Sequence, residues 1–187
     1  MFLLIGLGNP GKEYVNTRHN IGFSCLEYIR TQWKFPAFRE NSSFRAECSE
    51  GKIGTEKVIL ARPKTFMNRS GDAAQKIAHF YKIEPRNIIV IHDDLDIPLG
   101  KVRESFGSRS AGHNGVEDII GALGTKDFFR FRIGIKGVAK NEEKNQEKDT
   151  SAFVLESFPV NELEKSQQTF PIITEKLRTF IENTDKQ

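Results

Sequence analysis

Two spacings of apolar residues alternate along the chain. Residues 2–7 form a short apolar strand near the start, and residues 87–92 (NIIVIH) form a continuous apolar run. A run of that length predicts a strand covered on both faces. Residues 129–135 (FRFRIGI) alternate Phe and Arg instead, which predicts one buried face and one basic face. Residues 44–48, 57–61 and 101–106 complete the expected strands. Between the strands the spacing becomes helical. Ala74, Ile77, Ala78 and Tyr81 share a face over 70–81, and Val116, Ile119, Ile120 and Leu123 share one over 114–123. A further helix is expected over 18–32. Another helical region starts near Val160, with Ile173, Leu177, Phe180 and Ile181 in phase and Pro171 marking a start or a break. Helices interleaved with strands predict an α/β layer fold.

One stretch breaks both rhythms. Residues 136–149 (KGVAKNEEKNQEKD) hold four Lys and four acidic residues, with Val138 and Ala139 as the only apolar side chains. A polar, mobile loop is expected over 138–149.

Composition narrows the class. A chain of 187 residues, 37% hydrophobic and 28% charged, suits one soluble domain with a proper core, and fifteen Phe supply bulk for it. No apolar run is long enough to cross a bilayer, and residues 2–7 lack the basic lead of a signal peptide. Two cysteines imply no disulfide framework, so a cytoplasmic setting is expected. The net charge of +3 is too mild to argue for nucleic acid by itself. The placement says more: Arg62, Lys64 and Arg69 flank one motif, Lys101, Arg103 and Arg109 another, and Lys126, Arg130, Arg132 and Lys136 surround a late strand. On one shared face these would offer a patch to phosphates; apart, they are ordinary solvated surface.

The candidate chemistry sits at segment ends. In LIGLGNPGKEYVNTRHNIGF, Pro10 presets a turn and Gly11 tolerates positive φ, which would bring Asn9 and His19 to one strand end. An imidazole beside a carboxamide there is a candidate hydrolytic centre; a nucleotide-binding strand–loop–helix is the alternative. In NIIVIHDDLDIPLG, the apolar strand is expected to end before Asp93, Asp94 and Asp96. Three readings apply: a metal site, an aspartate orienting His19, or turn chemistry. Asp93, nearest the strand end, is the better partner for His19. In FGSRSAGHNG a glycine-bearing loop could turn backbone N–H groups toward an oxyanion, and Asn114 could bind a ligand or cap a helix. In RPKTFMNRSG, Met67 reads as core filler and Asn68 as a cap. No G-x-S-x-G elbow is present, and Cys25 falls inside a helical pattern, leaving histidine-assisted attack by water on an activated carbonyl.

These four segments, followed by FRFRIGI, resemble the bacterial peptidyl-tRNA hydrolase family in order and spacing over nearly the whole chain. The resemblance implies a single α/β domain over 1–187. The expected sheet is mixed, mostly parallel and twisted, with helices on both faces. It implies hydrolysis of the ester joining a peptide to tRNA, with no cofactor and no metal. Matched motif by motif, His19 would be the base and Asp93 its partner. Asn9, Asn68 and Asn114 would bind the peptide backbone and position water, and Tyr14, Met67 and His113 would line the cleft. Lys101, Arg103 and Arg132 would hold tRNA phosphates. The expected partner is peptidyl-tRNA, with no membrane, and the expected state is a cytoplasmic monomer.

Several positions depart from the family pattern. Ser105 stands where a basic residue often faces phosphate, Glu117 replaces a common Lys or Arg, Ala111 replaces a frequent Gly, and Lys136-Gly137-Val138 replaces Gly-x-Pro. They bear on RNA affinity rather than on the catalytic set. Two rival readings stay open: a non-catalytic RNA-binding relative, and a dinucleotide-binding oxidoreductase suggested by GLGNPG, whose Pro10 would disrupt a phosphate-cradling turn.

Overall fold

The computed structural model describes residues 1–136 and 150–184; the loop expected over 138–149 lies outside the described residues. The strands are β1 (Phe2–Gly6), β2 (Arg39–Asn41), β3 (Ala46–Ile53), β4 (Glu56–Pro63), β5 (Ile88–Pro98), β6 (Val102–Phe106) and β7 (Phe129–Lys136). The helices are α1 (Ile21–Gln32), α2 (Ser70–Tyr81), α3 (Asn114–Leu123), α4 (Thr150–Leu155), α5 (Val160–Gln167) and α6 (Thr169–Thr184). Short 3₁₀ turns at Lys12–Tyr14, Arg18–Asn20, Met67–Arg69 and Pro85–Asn87 join them.

The strands make one sheet in the order β2-β3-β4-β1-β5-β7-β6. Its centre, β4-β1-β5-β7, is parallel, while β3 and β6 run antiparallel to their neighbours. Every side chain of β1 is buried because both faces are covered. Phe2 and Leu4 join Leu26 and Ile29 of α1 and Ile173 and Leu177 of α6 in one core. Leu3 and Ile5 join Ala74 and Ile77 of α2 and Val116 and Ile119 of α3 in the other. Burying each such Leu or Ile is worth about 1.5–3 kcal/mol over leaving it exposed. The expected mixed sheet with helices on both faces is the architecture found.

Several local expectations are corrected. The strand over 87–92 does not stop there: β5 continues to Pro98, and β7 pairs with it through Asp94 before the register shifts. Asp94 and Asp96, which turn chemistry would also suit, are therefore strand residues, as is Asp93. In place of one strand over 44–48 there are β2 and β3, and Phe44 lies in the link between them with its ring against Phe80. The 18–32 helix begins at Ile21, after the separate turn at Arg18–Asn20. The C-terminal region is two helices, and Pro171 falls in the first turn of α6, where proline is tolerated. The basic face expected on 129–135 is not solvated throughout. Arg130 is buried, and its guanidinium donates to the Arg109 carbonyl of the loop lying over it.

Candidate active site

A cleft of about 510 Å³ opens where the parallel strands end, as expected for an α/β sheet. Three local features build it. After β1, Gly11 takes φ 123°, a conformation open to glycine, and turns the chain into the Lys12–Tyr14 turn. The chain then returns through Arg18–Asn20 into α1. That helix packs very close to the strands: a Cβ on Gly22 would lie 2.4 Å from the Ile91 carbonyl oxygen and 2.6 Å from Leu7 backbone atoms. This approach seats His19 against β5. Finally, the loops before α2 and α3 bring Met67, Asn68, His113 and Asn114 to the same opening.

Asp93 is the hub. Its carboxylate accepts from His19 Nδ1 at 2.9 and 3.0 Å, and its Oδ1 also accepts from His113 Nε2 at 3.0 Å. His113 Nδ1 receives the Val116 N–H at 3.3 Å and so caps α3. An acceptor at Nδ1 puts the His113 proton on Nε2, facing Asp93. By the same logic the His19 proton sits on Nδ1, leaving the Nε2 lone pair for the cleft. Burial by itself would raise the Asp93 carboxyl. Electrostatic attraction to His113 and His19, with their hydrogen bonds, outweighs it and holds the group well below the usual carboxylate range.

Behind this hub lies His92, fully buried, with Nδ1 2.6 Å from the Asp93 carbonyl oxygen and its ring edge-on to His113 at 4.6 Å between centroids. Burial, then the neighbouring His113, pushes its imidazole well below the ordinary range, so it stays neutral.

The three asparagines are positioned differently. Asn9 Oδ1 accepts the Met67 N–H at 2.8 Å, which leaves its NH₂ for the cleft. Its backbone is held on both sides by Asn20, whose Oδ1 accepts the Asn9 N–H at 2.8 Å and whose Nδ2 donates to the Asn9 carbonyl at 2.9 Å. Asn114 is not the cap of α3, since His113 is, and Asn68 is not the cap of α2, where Arg69 stands. Both carboxamides line the cleft.

Among the other expected residues, Met67 lines the cleft, whereas Tyr14 packs edge-on against Phe66, which does. Lys101, Arg103 and Arg132 lie outside it. Lys101 and Arg103 are exposed, Arg103 sits opposite Arg132 across β6–β7, and Arg132 Nε donates to Asp94 Oδ2 at 2.8 Å. Asp94 also accepts the Asp96 N–H at 2.9 Å. The three aspartates are thus not gathered on one point. Ligand atoms of His19, Asp93 and His113 do come within 4.8 Å of one another. A cation on His113 Nε2 would force the ring proton to Nδ1, against the Val116 N–H, so the donor set suits protons better than an ion.

Asn20, His92, the Asp94–Arg132 pair and the α4 wall of the cleft were not expected from the sequence. Asn20 alone had a signal there, its place beside His19.

A family model for peptidyl-tRNA hydrolase matches residues 3–187. The chain belongs to the peptidyl-tRNA hydrolase family. A peptidyl-tRNA hydrolase of Clostridium tetani is 40% identical over 181 residues, 97% of this chain and 91% of that protein. One from Neisseria meningitidis is 47% identical over 133 residues, 71% of this chain and 69% of its own. The crystal structure of peptidyl-tRNA hydrolase from Acinetobacter baumannii superposes with a TM-score of 0.89 at 32% identity, covering 100% of this chain and 91% of that one. Membership of the peptidyl-tRNA hydrolase family makes the chain a hydrolase. The dinucleotide reading fails on the local fold as well. After GLGNPG the chain enters the short turn at Lys12–Tyr14, not the helix N-terminus that cradles a pyrophosphate.

Proposed function

We propose that the chain cleaves the ester joining peptide to tRNA in peptidyl-tRNA, releasing free tRNA, with His19 as the base that activates water. The observation that carries the reading is the hold of Asp93 on His19 Nδ1 inside a cleft that also presents Asn9, Asn68 and Asn114.

The chemistry follows from that arrangement. With its proton on Nδ1, His19 takes a proton from water at Nε2 as the oxygen attacks the ester carbonyl. Asp93 fixes the tautomer and stabilises the imidazolium that forms. The carbonyl oxygen becomes negative and needs donors already in place; the Asn9 NH₂ is held for this because its oxygen is occupied by Met67. The tetrahedral intermediate then collapses. The carbon–oxygen bond to the ribose breaks, and His19 returns its proton to the departing ribose oxygen, which leaves as a hydroxyl. Asn68 and Asn114 bind amide groups of the peptide, which selects peptidyl over aminoacyl esters, because a site built to pair with a polar group rejects a ligand lacking it. Exposed Lys101 and Arg103, with Arg132, hold phosphates. No described helix is long and apolar enough to cross a membrane; the proposed setting is the cytoplasm and the proposed state a monomer.

The test is release of free tRNA from a peptidyl-tRNA with a blocked amino terminus. His19→Ala is expected to lose on the order of 10²–10⁴-fold in rate while still binding tRNA. Near-normal turnover by the variant would remove His19 as the base.

A further inference from the structure

We propose that Arg18 is a positioning residue for peptide binding, fastening the α4 wall of the cleft to the turn that carries His19. The proposal rests on the function proposed above and names a determinant of its peptide subsite.

Arg18 precedes the catalytic histidine, yet its side chain points away from Asp93. Among the described residues, its side-chain partners all come from one later segment. Nη1 donates to Glu156 at 3.0 Å and to the Phe153 carbonyl at 3.3 Å, and Nη2 donates to Glu162 at 3.0 Å. The guanidinium lies 4.1 Å over the Phe153 ring and 5.5 Å from that of Phe158. The backbones are tied too: Arg18 N–H donates to the Glu156 carbonyl, Phe158 N–H to the Asn16 carbonyl, and Thr17 bridges Ser157. Arg18 is only 5% exposed.

A guanidinium suits this place for a physical reason. It can bridge two carboxylates with its edge while stacking its flat face on an aromatic ring, which an ammonium cannot do. Buried as it is, the charge would be costly without those partners. The segment it holds is functional ground: Thr150, Ser151, Val154 and Leu155 of α4 line the same cleft as the asparagines. Val154 and Leu155 form, with Phe66, Met67 and Leu95, the apolar lip of the cleft. That lip fits an apolar side chain of the bound peptide, while the asparagines take its amides. The position of the lip relative to His19 is set through Arg18.

Two variants test this, Arg18→Met, which breaks both ion pairs, and Glu162→Gln, which loosens one and leaves Arg18 in place. For Arg18→Met, KM for a peptidyl-tRNA with apolar side chains is expected to rise about tenfold or more, with kcat changed much less. Affinity for deacylated tRNA is expected to hold. Amide exchange is expected to quicken over 150–158 and not in α1 or β5. Glu162→Gln should show the same pattern at smaller size, and Arg18→Lys should recover only part of the loss. Two results would overturn the proposal. One is a fall in kcat with KM and α4 exchange unchanged, which would place the effect on His19. The other is a lower Tm with normal kinetics, which would make the contact purely structural. The exchange readout does not depend on activity, so failure of the hydrolase reading would be seen separately, in the unsubstituted protein.

Discussion

His113 donates to the same Asp93 oxygen that holds His19, at 3.0 and 2.9 Å. One carboxylate therefore serves two imidazoles with different duties, since the second also caps α3. Replacing His113 with Phe removes one of the two groups that keep Asp93 low. The Asp93 carboxyl should move up toward the ordinary range, as read by ¹³C titration. Loss of the cap should cost about 1 kcal/mol of stability. The rate should fall less than in His19→Ala.

Asn9→Asp isolates the donor from the scaffold. The new carboxylate can still accept the Met67 N–H, so the loop should keep its shape, but the NH₂ is gone. Hydrolysis should drop by about 10²–10³-fold, the usual cost of one oxyanion donor. A rate within a few-fold of the original, with an unchanged melting curve, would mean that Asn9 only supports the loop.

The two arginines at the β6–β7 edge should behave differently. Arg103→Ala removes an exposed charge, so tRNA binding should weaken and its salt slope fall by about one counterion. A minimal ester lacking the tRNA body should be cleaved as before. Arg132→Ala also strands Asp94, the neighbour of Asp93. It should slow both substrates, and equal behaviour of the two variants on the minimal ester would refute the distinction.

His92 predicts a pH dependence of stability. Its folded pKa lies far below the unfolded value, so the unfolded chain binds the extra proton once the pH drops below about 6.5. Stability should fall as pH is lowered through that value, by up to about 1.4 kcal/mol per pH unit for this one group. Denaturant titrations from pH 7.5 to 5 should show that slope, and His92→Gln should flatten it. An unchanged slope would locate the proton uptake elsewhere.

How far these features could be read without coordinates depends on how local their cause is. The covered strand at 87–92 and the helical phases over 70–81 and 114–123 were legible because burial writes its period into neighbouring residues. The pairing of His19 with Asp93 was legible only as a motif, since they lie 74 positions apart. Asn114 and Asn68 looked like caps by propensity, and the caps turned out to be His113 and Arg69. Arg130 looked like surface because nothing in FRFRIGI shows that a loop 21 residues earlier lies over it. The partners of Arg18 are 135 to 144 residues away, in a segment where the sequence shows only a helical region starting near Val160.

The turn at Arg18–Asn20 has a consequence for how this segment can change. A 3₁₀ turn advances by about 120° per residue, so three successive side chains leave it in three directions. Here one reaches Glu156 and Glu162, the next Asp93, and the third the backbone of Asn9. Inserting or deleting a single residue at this point would rotate each side chain into its neighbour's place. The imidazole would then face a glutamate pair or a peptide group in place of its aspartate. Most loops on a protein surface can lengthen by a residue at little cost. This one is phase-locked, and its length is as fixed a part of the proposed catalytic site as the identity of the histidine.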